Sequence, residues 1–508
     1  MSNDETELKF KLVPKDIRKV IAARPLRGKQ LRNETLISAY FDTPSHKLAK
    51  NGISLRLRRN GDKRLQTVKC AGTVTAFKRA EWEHQLKSDN PDLRKVRDTP
   101  LKPMLSKKLK RSLAPIFETR VHRTTVPLRK NGSSVDVALD HGRIYAGRRS
   151  LPICELELEL KRGKVRDVFD LAREIGKIAP IKLELKSKFD RGFELIENAP
   201  EEAVRAEKIA LVRGEDTAEA FRVIGRSNLR QIAANEAMVR QSDPEAVHQM
   251  RVGLRRLRAA ISLFSKLFGD KQTEQLKTEL KWLTNELAPA REIDVYERNK
   301  IAPLRGTVAA KRGMQELSDT LSVQRRSNSD RAATAVASSR YRSLLLKTLQ
   351  WLEDGDWARR WRSRGPRRIE RFAAKILARR AKKAMKTAKK LRKLSARKRH
   401  KLRIAVKKLR YATDFFEHFF RGRKAKGRLS AFKAQLKKLQ DHLGSLNDIR
   451  AHQQIAQELA AGKSPTKNRE RAFAAGIVTG HEQSEIEPLQ FATNKDARKF
   501  ADVKPYWT

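Results

Sequence analysis

The sequence of 508 residues predicts a multidomain α+β chain, in which a mostly antiparallel β domain is followed by an all-helical unit. From residue 5 to about 195, polar and apolar residues alternate with a period of two, as in strands with two unlike faces. Beyond residue 198 the period changes to three and four, which is typical of amphipathic helices. The predicted domains are therefore 1–198 and 199–508, since one hydrophobic core rarely serves a chain of this length.

The β domain is predicted from short alternating segments that are separated by turn-forming pairs. The clearest segments are 5–10, 53–58, 80–83, 135–140 and 155–161. The pairs are Asn51-Gly52, Asn60-Gly61, Asn131-Gly132 and His141-Gly142, and such dipeptides favour the tight turns of hairpins. Two or three helices are expected beside the strands, one of them near 165–178.

The helical unit contains an internal duplication. A histidine begins each copy, and the basic positions that follow are basic in both: His248, Arg251, Arg255, Arg256 and Arg258, then His400, Arg403, Lys407, Lys408 and Arg410. A Gly- and Pro-containing break at 355–368 separates the copies, which are predicted at about 205–355 and 366–490. Such a duplication predicts two helical bundles related by an approximate twofold axis.

The charge balance favours a polyanionic partner. Lys and Arg number 114 against 59 Asp and Glu, so the formal net charge is +55. Nucleic acid, anionic membrane and phosphate chains would all neutralise such a charge. The two cysteines, Cys70 and Cys154, lack metal-site spacing, so neither a zinc site nor a disulfide framework is predicted. No secretory leader and no run of about 18 apolar residues is found, so we expect a cytoplasmic protein without a membrane partner.

Cations and carboxylates share alternating positions on several predicted strands. Taken singly, such a strand would be a solvated face, but facing strands would gather the charges in a common interior. Arg and Lys suit phosphate oxygens, whereas carboxylates suit Mg²⁺ or Mn²⁺, so the set predicts a site for a metal-bound triphosphate. The set is Glu5, Glu7, Lys9, Arg56, Arg58, Lys69, Arg79, Glu81, Glu83, Arg120, Asp140, Glu155, Glu157, Glu159 and Lys188.

An ordered series of motifs in this region resembles the CYTH family of triphosphate tunnel enzymes. The series begins with Glu5-x-Glu7-x-Lys9 and continues with Tyr40-Phe41-Asp42-Thr43-Pro44, Leu55-Arg56-Leu57-Arg58, Thr67-Val68-Lys69, Arg79-x-Glu81-x-Glu83, the strand at 155–161 and Ser187-Lys188-Phe189. One Glu-x-Glu-x-Lys motif is weak, but the ordered succession is specific. The resemblance implies an antiparallel β tunnel and metal-dependent hydrolysis of a triphosphate.

The resemblance also implies roles for individual residues. Glu5, Glu7, Lys9 and Lys69 would be catalytic, Glu5, Glu7, Glu157 and Glu159 would hold Mg²⁺ or Mn²⁺, and Arg56, Arg58, Arg79, Arg120 and Lys188 would bind substrate phosphates. Which two of Glu155, Glu157 and Glu159 bind metal stays open. We prefer tripolyphosphate, cleaved to diphosphate and phosphate, because no nucleoside-recognition feature stands out. Family members that cyclise ATP or hydrolyse thiamine triphosphate keep other substrates open.

The duplicated motif resembles the CHAD family. At helical spacing, the histidine and the three cations at i+3, i+7 and i+10 share one face, so a twofold axis could bring both stripes to one cleft. A single stripe would be a solvated face, but its repetition favours a site. The resemblance implies two pseudo-symmetric four-helix bundles whose groove binds inorganic polyphosphate through all ten of the basic and histidine residues of the copies. In the second copy, Asn447 and Arg450 stand where the first copy has Arg291 and Asp294. This end of the second motif is therefore expected to serve folding more than ligand binding.

Two functional interpretations follow. In the first, a triphosphatase is joined to a polyphosphate-binding module. In the second, the chain is a non-catalytic polyphosphate-binding protein that targets polyphosphate granules. The retained Glu, Lys and Arg positions favour the first, and association with granules is compatible with both. No specific nucleic-acid partner is expected, because the basic helices offer few aromatic residues for base stacking and no recognition fingerprint.

Overall fold

The structure is a computed structural model that describes residues 3–70, 78–198, 201–304, 311–362, 367–420, 422–460 and 465–507. Its residues divide into two compact units. The first consists of Met1–Glu202 and Ser339–Gly355, and the second of Ala203–Ser338 and Asp356–Thr508. No helix among the described residues has the length and hydropathy needed to cross a membrane.

The first unit is built on nine antiparallel strands. They are β1 (Asn3–Lys11), β2 (Arg32–Asp42), β3 (Ile53–Asn60), β4 (Lys63–Cys70), β5 (Lys78–Leu86), β6 (Ala114–Lys130), β7 (Ser133–Ala146), β8 (Arg149–Arg162) and β9 (Lys182–Leu183). Hydrogen-bonded neighbours follow the order β5-β4-β3-β2-β6-β7-β8-β1, and β1 also pairs with β5. Eight strands therefore close into a barrel, and the predicted antiparallel β tunnel is confirmed.

The barrel carries its apolar side chains on the outside. On β8, Leu156 and Leu158 are buried, and α4 (Val165–Ile178) packs on this strand with its own apolar face buried. Alternation then turns the intervening glutamates of β8 away from that packing. The helix expected near 165–178 is present and supplies the cover that this outer surface requires.

One expected turn is absent. His141-Gly142 lies inside β7, and β6 and β7 form one long hairpin around Asn131-Gly132. A Cβ at Gly142 would lie 2.0 Å from the carbonyl oxygen of Arg120, so this glycine permits a close approach of the two strands rather than a reversal of the chain.

Helices surround the barrel. Besides α4, they are α1 (Pro14–Ile21), α2 (Lys47–Lys50), α3 (Lys107–Ser112), α5 (Lys188–Glu197) and α12 (Ser339–Asp354). Helix α12 packs on α4 and β9, and the Arg173 guanidinium donates a hydrogen bond to the Gln350 side chain. This segment comes from the helical half of the sequence, and the boundary drawn at residue 198 did not include it.

Helix α5 begins at a capping box. The Ser187 hydroxyl accepts a hydrogen bond from the Asp190 amide at 3.1 Å, and the Asp190 carboxylate accepts one from the Ser187 amide at 2.7 Å. Gly192 lies against Phe117 so closely that a Cβ would be 2.3 Å from a ring carbon. The cap and this contact determine where Lys188, the first residue of the helix, enters the barrel.

The second unit is all-helical among its described residues, as predicted. Its helices are α6 (Thr217–Ala234), α7 (Glu236–Arg240), α8 (Pro244–Leu263), α9 (Lys271–Glu286), α10 (Ala288–Tyr296), α11 (Lys311–Ala337), α13 (Asp356–Arg362), α14 (Ile369–Ala388), α15 (Ala396–Phe416), α16 (Arg423–Ala460), α17 (Pro465–Ser484) and α18 (Ile486–Asp502). The two copies of the duplicated motif lie on α8 and α15, which pack against each other. Helix α6 supports α8 as α14 supports α15.

A methyl group at Gly192 should displace α5 from the barrel. We expect Gly192→Ala to lower the free energy of unfolding by about 1–3 kcal/mol, because Phe117 blocks the added carbon. Gly176→Ala on α4 is the matched control: its Cβ would lie 3.5 Å from Ile181, an ordinary contact, and alanine favours a helix. Calorimetric unfolding of the full chain compares them, and equal transition temperatures would contradict the close contact at Gly192.

Candidate functional site

A cavity of about 650 Å³ lies inside the barrel, and charged side chains of both signs line it. The lining cations are Lys9, Arg32, Arg56, Arg58, Lys63, Arg64, Lys69, Arg123, Lys161 and Lys188. The lining carboxylates are Glu7, Glu34, Glu81, Glu83, Asp136, Asp140, Glu157 and Glu159. Because these residues come from every strand of the closed ring and from α5, the closure of the barrel brings them together.

The Lys188 ammonium lies among three buried carboxylates. Its Nζ is 2.7 Å from Asp140, 2.7 Å from Glu155 and 2.8 Å from Glu157. Burial alone would lower the pKa of Lys188, but the three carboxylates outweigh burial and hold that pKa well above its usual value. The same three carboxylates have oxygens close enough together to hold a metal ion.

Arg123 and Lys9 complete this network. Arg123 donates to Asp140 at 2.7 Å and also to Glu157, while Lys9 lies 3.0 Å from Glu157 and 3.1 Å from Glu7. Burial would raise the pKa of Glu157, but Lys188, Lys9 and Arg123 together keep it well below its usual range. Glu157 therefore remains ionised at neutral pH, even though it is almost fully enclosed.

A second cluster lies on β3, β4 and β5. The Arg56 guanidinium donates to the Thr67 hydroxyl at 3.1 Å and lies 3.6 Å from Glu81, which also pairs with Lys69 at 2.9 Å. Arg58 differs from its neighbours. Burial, together with repulsion from Arg56 and Arg123, lowers the pKa of Arg58 to about 10, and its Nε has no hydrogen-bond partner among the described residues.

The structure brings most of the predicted tunnel residues together. Glu7, Lys9, Arg56, Arg58, Lys69, Glu157, Glu159 and Lys188 all line the cavity. Glu155 does not line it, because it lies behind Lys188 and binds the Arg191 guanidinium of α5. The side chains of Glu5 and Arg79 lie outside the described residues, although their backbones pair between β1 and β5.

Arg120 was expected to bind phosphate, and the structure corrects this. Its side chain is exposed on the outside of β6, where its Nε lies 2.6 Å from Glu118 and its guanidinium stacks on Tyr145. The alternation of β6 turns Thr119, Val121 and Arg123 inward instead. Arg123 is thus the tunnel arginine of this strand, and sequence reasoning missed it.

The hairpin offered a signal for Arg123. Residues equidistant from the Asn131-Gly132 turn face each other, and this rule pairs Arg123 with Asp140, as the structure has it. Since Asp140 was already a member of the charged set, its cross-strand partner could have been identified from the sequence. Arg191 carried no comparable signal, because its partner Glu155 lies on a distant strand.

In the second unit, cations from α8 and α15 lie close together. Burial lowers the pKa of Lys407 to about 8, with further lowering by Arg403, Arg255 and Arg251, while Asp448 acts in the opposite direction. Burial and the neighbouring Arg255 likewise lower the pKa of Arg251 to about 10. Arg251, Arg255, Arg403 and Lys407, hereafter the central groove, therefore unite the two copies of the motif.

Equivalent residues of the two motif copies have equivalent charged neighbours around the central groove. Arg251 is attracted by Glu292 of its own copy, and Arg403 is attracted by Asp448, which is the equivalent residue of the second copy. Across the copies, Arg256 is influenced by Arg410, and Lys408 by Arg258. The same pairing in both directions is what a pseudo-twofold axis requires.

The remaining predicted residues flank the central groove. Arg256 donates to Asn228 at 3.0 Å and stacks on Phe415, while Lys408 donates to the Ser262 hydroxyl at 3.0 Å. At the ends, burial and Arg291 lower the pKa of His248 to about 4, and the exposed His400 lies 2.9 Å from Asn447. Asn447 thus contacts the histidine of its own copy, and the Arg450 side chain lies outside the described residues.

The fold and the two charged sites define a tunnel domain joined to a helical domain in which cations of the two motif copies cluster. A family model described as the CYTH domain matches residues 3–193, and one described as the CHAD domain matches residues 224–457. The chain therefore has a CYTH domain followed by a CHAD domain, as the motifs predicted.

Individual proteins resemble each half. An inorganic triphosphatase of Haemophilus influenzae is 32% identical over 166 residues, which are 32% of this chain and 46% of that protein. The match thus spans less than half of the length of that relative. The crystal structure of the CHAD domain from the plant Ricinus communis shares 29% identity, covers 59% of this chain and 97% of its own, and superposes with a TM-score of 0.50.

Arg123 should stabilise the barrel, whereas Arg120 should not. Arg123→Gln leaves Asp140 and Glu157 buried with one cation fewer, so we expect the free energy of unfolding to fall by about 3 kcal/mol. Arg120→Gln is the control, and it should leave stability unchanged because that side chain is exposed. Calorimetry of the full chain at pH 7 measures both variants. Equal melting of the two variants would argue against the inward orientation of Arg123.

Proposed function

We propose that the first unit is a divalent-metal-dependent inorganic triphosphatase, which converts tripolyphosphate into diphosphate and phosphate. The observation that carries this proposal is Arg58, an enclosed cation that is repelled by Arg56 and Arg123 and whose Nε has no hydrogen-bond partner among the described residues. An anion in the tunnel would relieve the repulsion among these arginines and restore an ordinary pKa to Arg58. The Haemophilus influenzae relative is an inorganic triphosphatase, which supports the choice of a triphosphate.

The phosphate chain would be bound by cations on opposite walls. Arg56 and Arg58 offer forked donors from β3, and Arg123 offers another from β6. Lys9, Lys69 and Lys188 would add point charges. Most of these cations are held by carboxylates in the structure, so binding exchanges one set of anionic oxygens for another. The cations are therefore already in place before substrate arrives, which limits the reorganisation that binding requires.

The carboxylates of β1 and β8 fit a divalent cation. Glu7 and Glu159 stand directly opposite each other in the antiparallel register, and both line the cavity. Like charges in that position repel, and a cation between them removes the repulsion. Glu7, Glu157 and Glu159 would hold Mg²⁺ or Mn²⁺ through hard oxygen ligands. Glu5, two residues before Glu7 on β1, would join them, because alternate residues of a strand share one face. When bound, the metal ion would neutralise charge on the transferred phosphoryl group and orient the attacking water.

Charged groups line the tunnel on every strand, which favours a fully inorganic substrate over a nucleotide. Tyr40 and Phe189 also line the cavity, so ATP and thiamine triphosphate belong in the same assay as tripolyphosphate. A marked preference for either organic triphosphate would replace tripolyphosphate as the substrate while keeping the reaction class.

We further propose that the second unit binds inorganic polyphosphate in the central groove. Burial and the repulsion among the four cations depress the pKa values of Lys407 and Arg251, and a bound chain of phosphates would oppose the repulsion. A flexible anion with a charge on every unit suits a groove whose cations come from two helices. A cytoplasmic protein that gathers at polyphosphate granules is part of this proposal.

Phosphate release from tripolyphosphate should require added Mg²⁺ or Mn²⁺ and should stop with EDTA. We expect Glu7→Gln to lower kcat by about 100-fold, because a hard ligand is replaced by a weak one without a change of shape. Arg58→Gln should raise KM, whereas Arg59→Gln, an exposed neighbour on the same strand, should change neither constant. Metal-independent turnover, or full activity of Glu7→Gln, would overturn the metal site.

If the wild type releases no phosphate but still binds polyphosphate, the triphosphatase assignment is wrong and the non-catalytic alternative is supported. A phosphate-release assay and a filter-binding titration on the same preparation separate the two functions.

Polyphosphate affinity should weaken as the pH rises from about 8 to 10. Lys407 has a pKa of about 8 in the empty groove, and a bound anion raises it, so binding takes up a proton above pH 8. The double variant Arg403→Gln, Lys407→Gln should bind at least 10-fold more weakly and lose this pH dependence. Triphosphatase turnover should survive, because it uses other residues on a separate core.

The matched control for the double variant is Lys424→Gln, Lys426→Gln, which removes two exposed charges from α16. Filter-binding titrations at several salt concentrations compare the two proteins. If both lose affinity equally, net charge rather than the central groove holds polyphosphate, and the groove assignment fails.

A further inference from the structure

Helix α14 carries a row of exposed cations along one face. Arg371, Lys375, Arg379, Lys382 and Lys386, hereafter the α14 stripe, recur every three or four residues, and all five are exposed. At 1.5 Å per residue the α14 stripe is about 22 Å long, with one charge for each helical turn. It is thus a straight, convex and solvated line of positive charge.

Among the described residues, no carboxylate compensates the α14 stripe. The sequence has no Asp or Glu between Arg371 and Thr413, and within the described part of the chain none of the five cations forms an ion pair. Some exposed or half-exposed cations of the unit are paired, such as Lys277 with Glu274 at 2.7 Å, Arg331 with Glu286 at 2.7 Å and Lys433 with Glu417 at 2.6 Å, whereas others, such as Lys424 and Lys426, form no ion pair among the described residues. What distinguishes the α14 stripe is that five such cations stand in one continuous row on a single helix face.

The α14 stripe is also separate from the central groove. The opposite face of α14 is apolar and buried, with Ala373, Ile376 and Ala384 among its residues, and α14 packs on α15 and α18. Arg380, which donates to the Ser262 carbonyl at 2.8 Å, belongs to the half-buried side. The groove cations are partly desolvated, whereas those of the α14 stripe are in water.

We propose that the α14 stripe binds the sugar-phosphate backbone of double-stranded nucleic acid without reading its base sequence. Exposed Lys and Arg without accompanying aromatic residues suit phosphate contacts, which carry no sequence information. This is compatible with the expectation that no specific nucleic-acid partner exists.

The stiffness of the ligand decides between a duplex and a polyphosphate chain. A duplex stays straight over about 150 base pairs, so all five cations of a straight row can contact it at once. A flexible chain must be ordered along a convex helix that has no walls, and this ordering reduces its affinity. The half-buried central groove suits the flexible polyanion, and the open α14 stripe suits the rigid one.

The test is the fluorescence anisotropy of two 20-base-pair DNA duplexes of unrelated sequence, titrated with the full chain from 50 to 200 mM NaCl. The stripe variant carries Lys375→Gln, Arg379→Gln, Lys382→Gln and Lys386→Gln. The control variant carries Lys424→Gln, Lys426→Gln, Lys437→Gln and Lys438→Gln, which removes equal charge from exposed positions of α16. Glutamine preserves helix propensity, so both variants should fold, and circular dichroism checks this.

We expect the wild type to bind both duplexes alike. The stripe variant should bind at least 10-fold more weakly at 100 mM NaCl, and the slope of log affinity against log salt should be shallower by about 3.6, since each of the four lost phosphate contacts removes about 0.9. The control variant should keep most of the affinity and slope.

Four outcomes would overturn the proposal. They are full duplex affinity in the stripe variant, equal losses in both variants, equal binding of the corresponding single strand by the wild type, and a loss of long-chain polyphosphate binding without a loss of duplex binding. The second would show an effect of net charge alone, and the last would assign the α14 stripe to polyphosphate.

Discussion

The compensation of buried charge inside the closed barrel is the constraint on which the first unit depends. The Lys188 ammonium among Asp140, Glu155 and Glu157 joins α5 to β7 and β8, and Arg191 fastens the same helix through Glu155 and the Pro152 carbonyl. Removing one partner from such a cluster leaves an uncompensated charge in a region of low polarity, which is strongly destabilising. The cluster therefore keeps α5 at the barrel and the tunnel cations in their positions.

The cations of the two units differ in how far carboxylates compensate them. In the tunnel, cations alternate with carboxylates, and this mixed lining suits a ligand that brings both phosphate and metal. In the central groove, Arg251, Arg255, Arg403 and Lys407 mainly face one another, and burial without full compensation lowers the pKa of Lys407. Such a surface suits a bare polyanion. One chain thus offers two chemically distinct environments for phosphate.

The duplicated halves of the helical sequence have not kept identical surroundings. Helix α18, which follows α17 as α12 follows α11, packs on α14 and α16 within the second unit. Helix α12 instead packs on α4 and β9 of the first unit. The motif residues of α8 and α15 retain their twofold pairing nonetheless, because each lies where the two helices meet.

The sequence by itself determined the two fold classes, the duplication and both family resemblances, because strand alternation, helical spacing and ordered motifs are local properties of a chain. It also identified most of the tunnel lining, since Glu7, Lys9 and Arg56 stand in strands whose apolar face is unmistakable. Tertiary structure decided the rest. A period of two separates the faces of β6 but does not by itself tell which one turns inward, and the hairpin register that pairs Arg123 with Asp140 was overlooked, so Arg120 was chosen in place of Arg123. Likewise, only the closed barrel with α5 against it separates Glu155, enclosed by Lys188 and Arg191, from Glu157 and Glu159, which reach the cavity. The position of Glu155 is decided by contacts between segments far apart in the chain, and such contacts leave no local pattern.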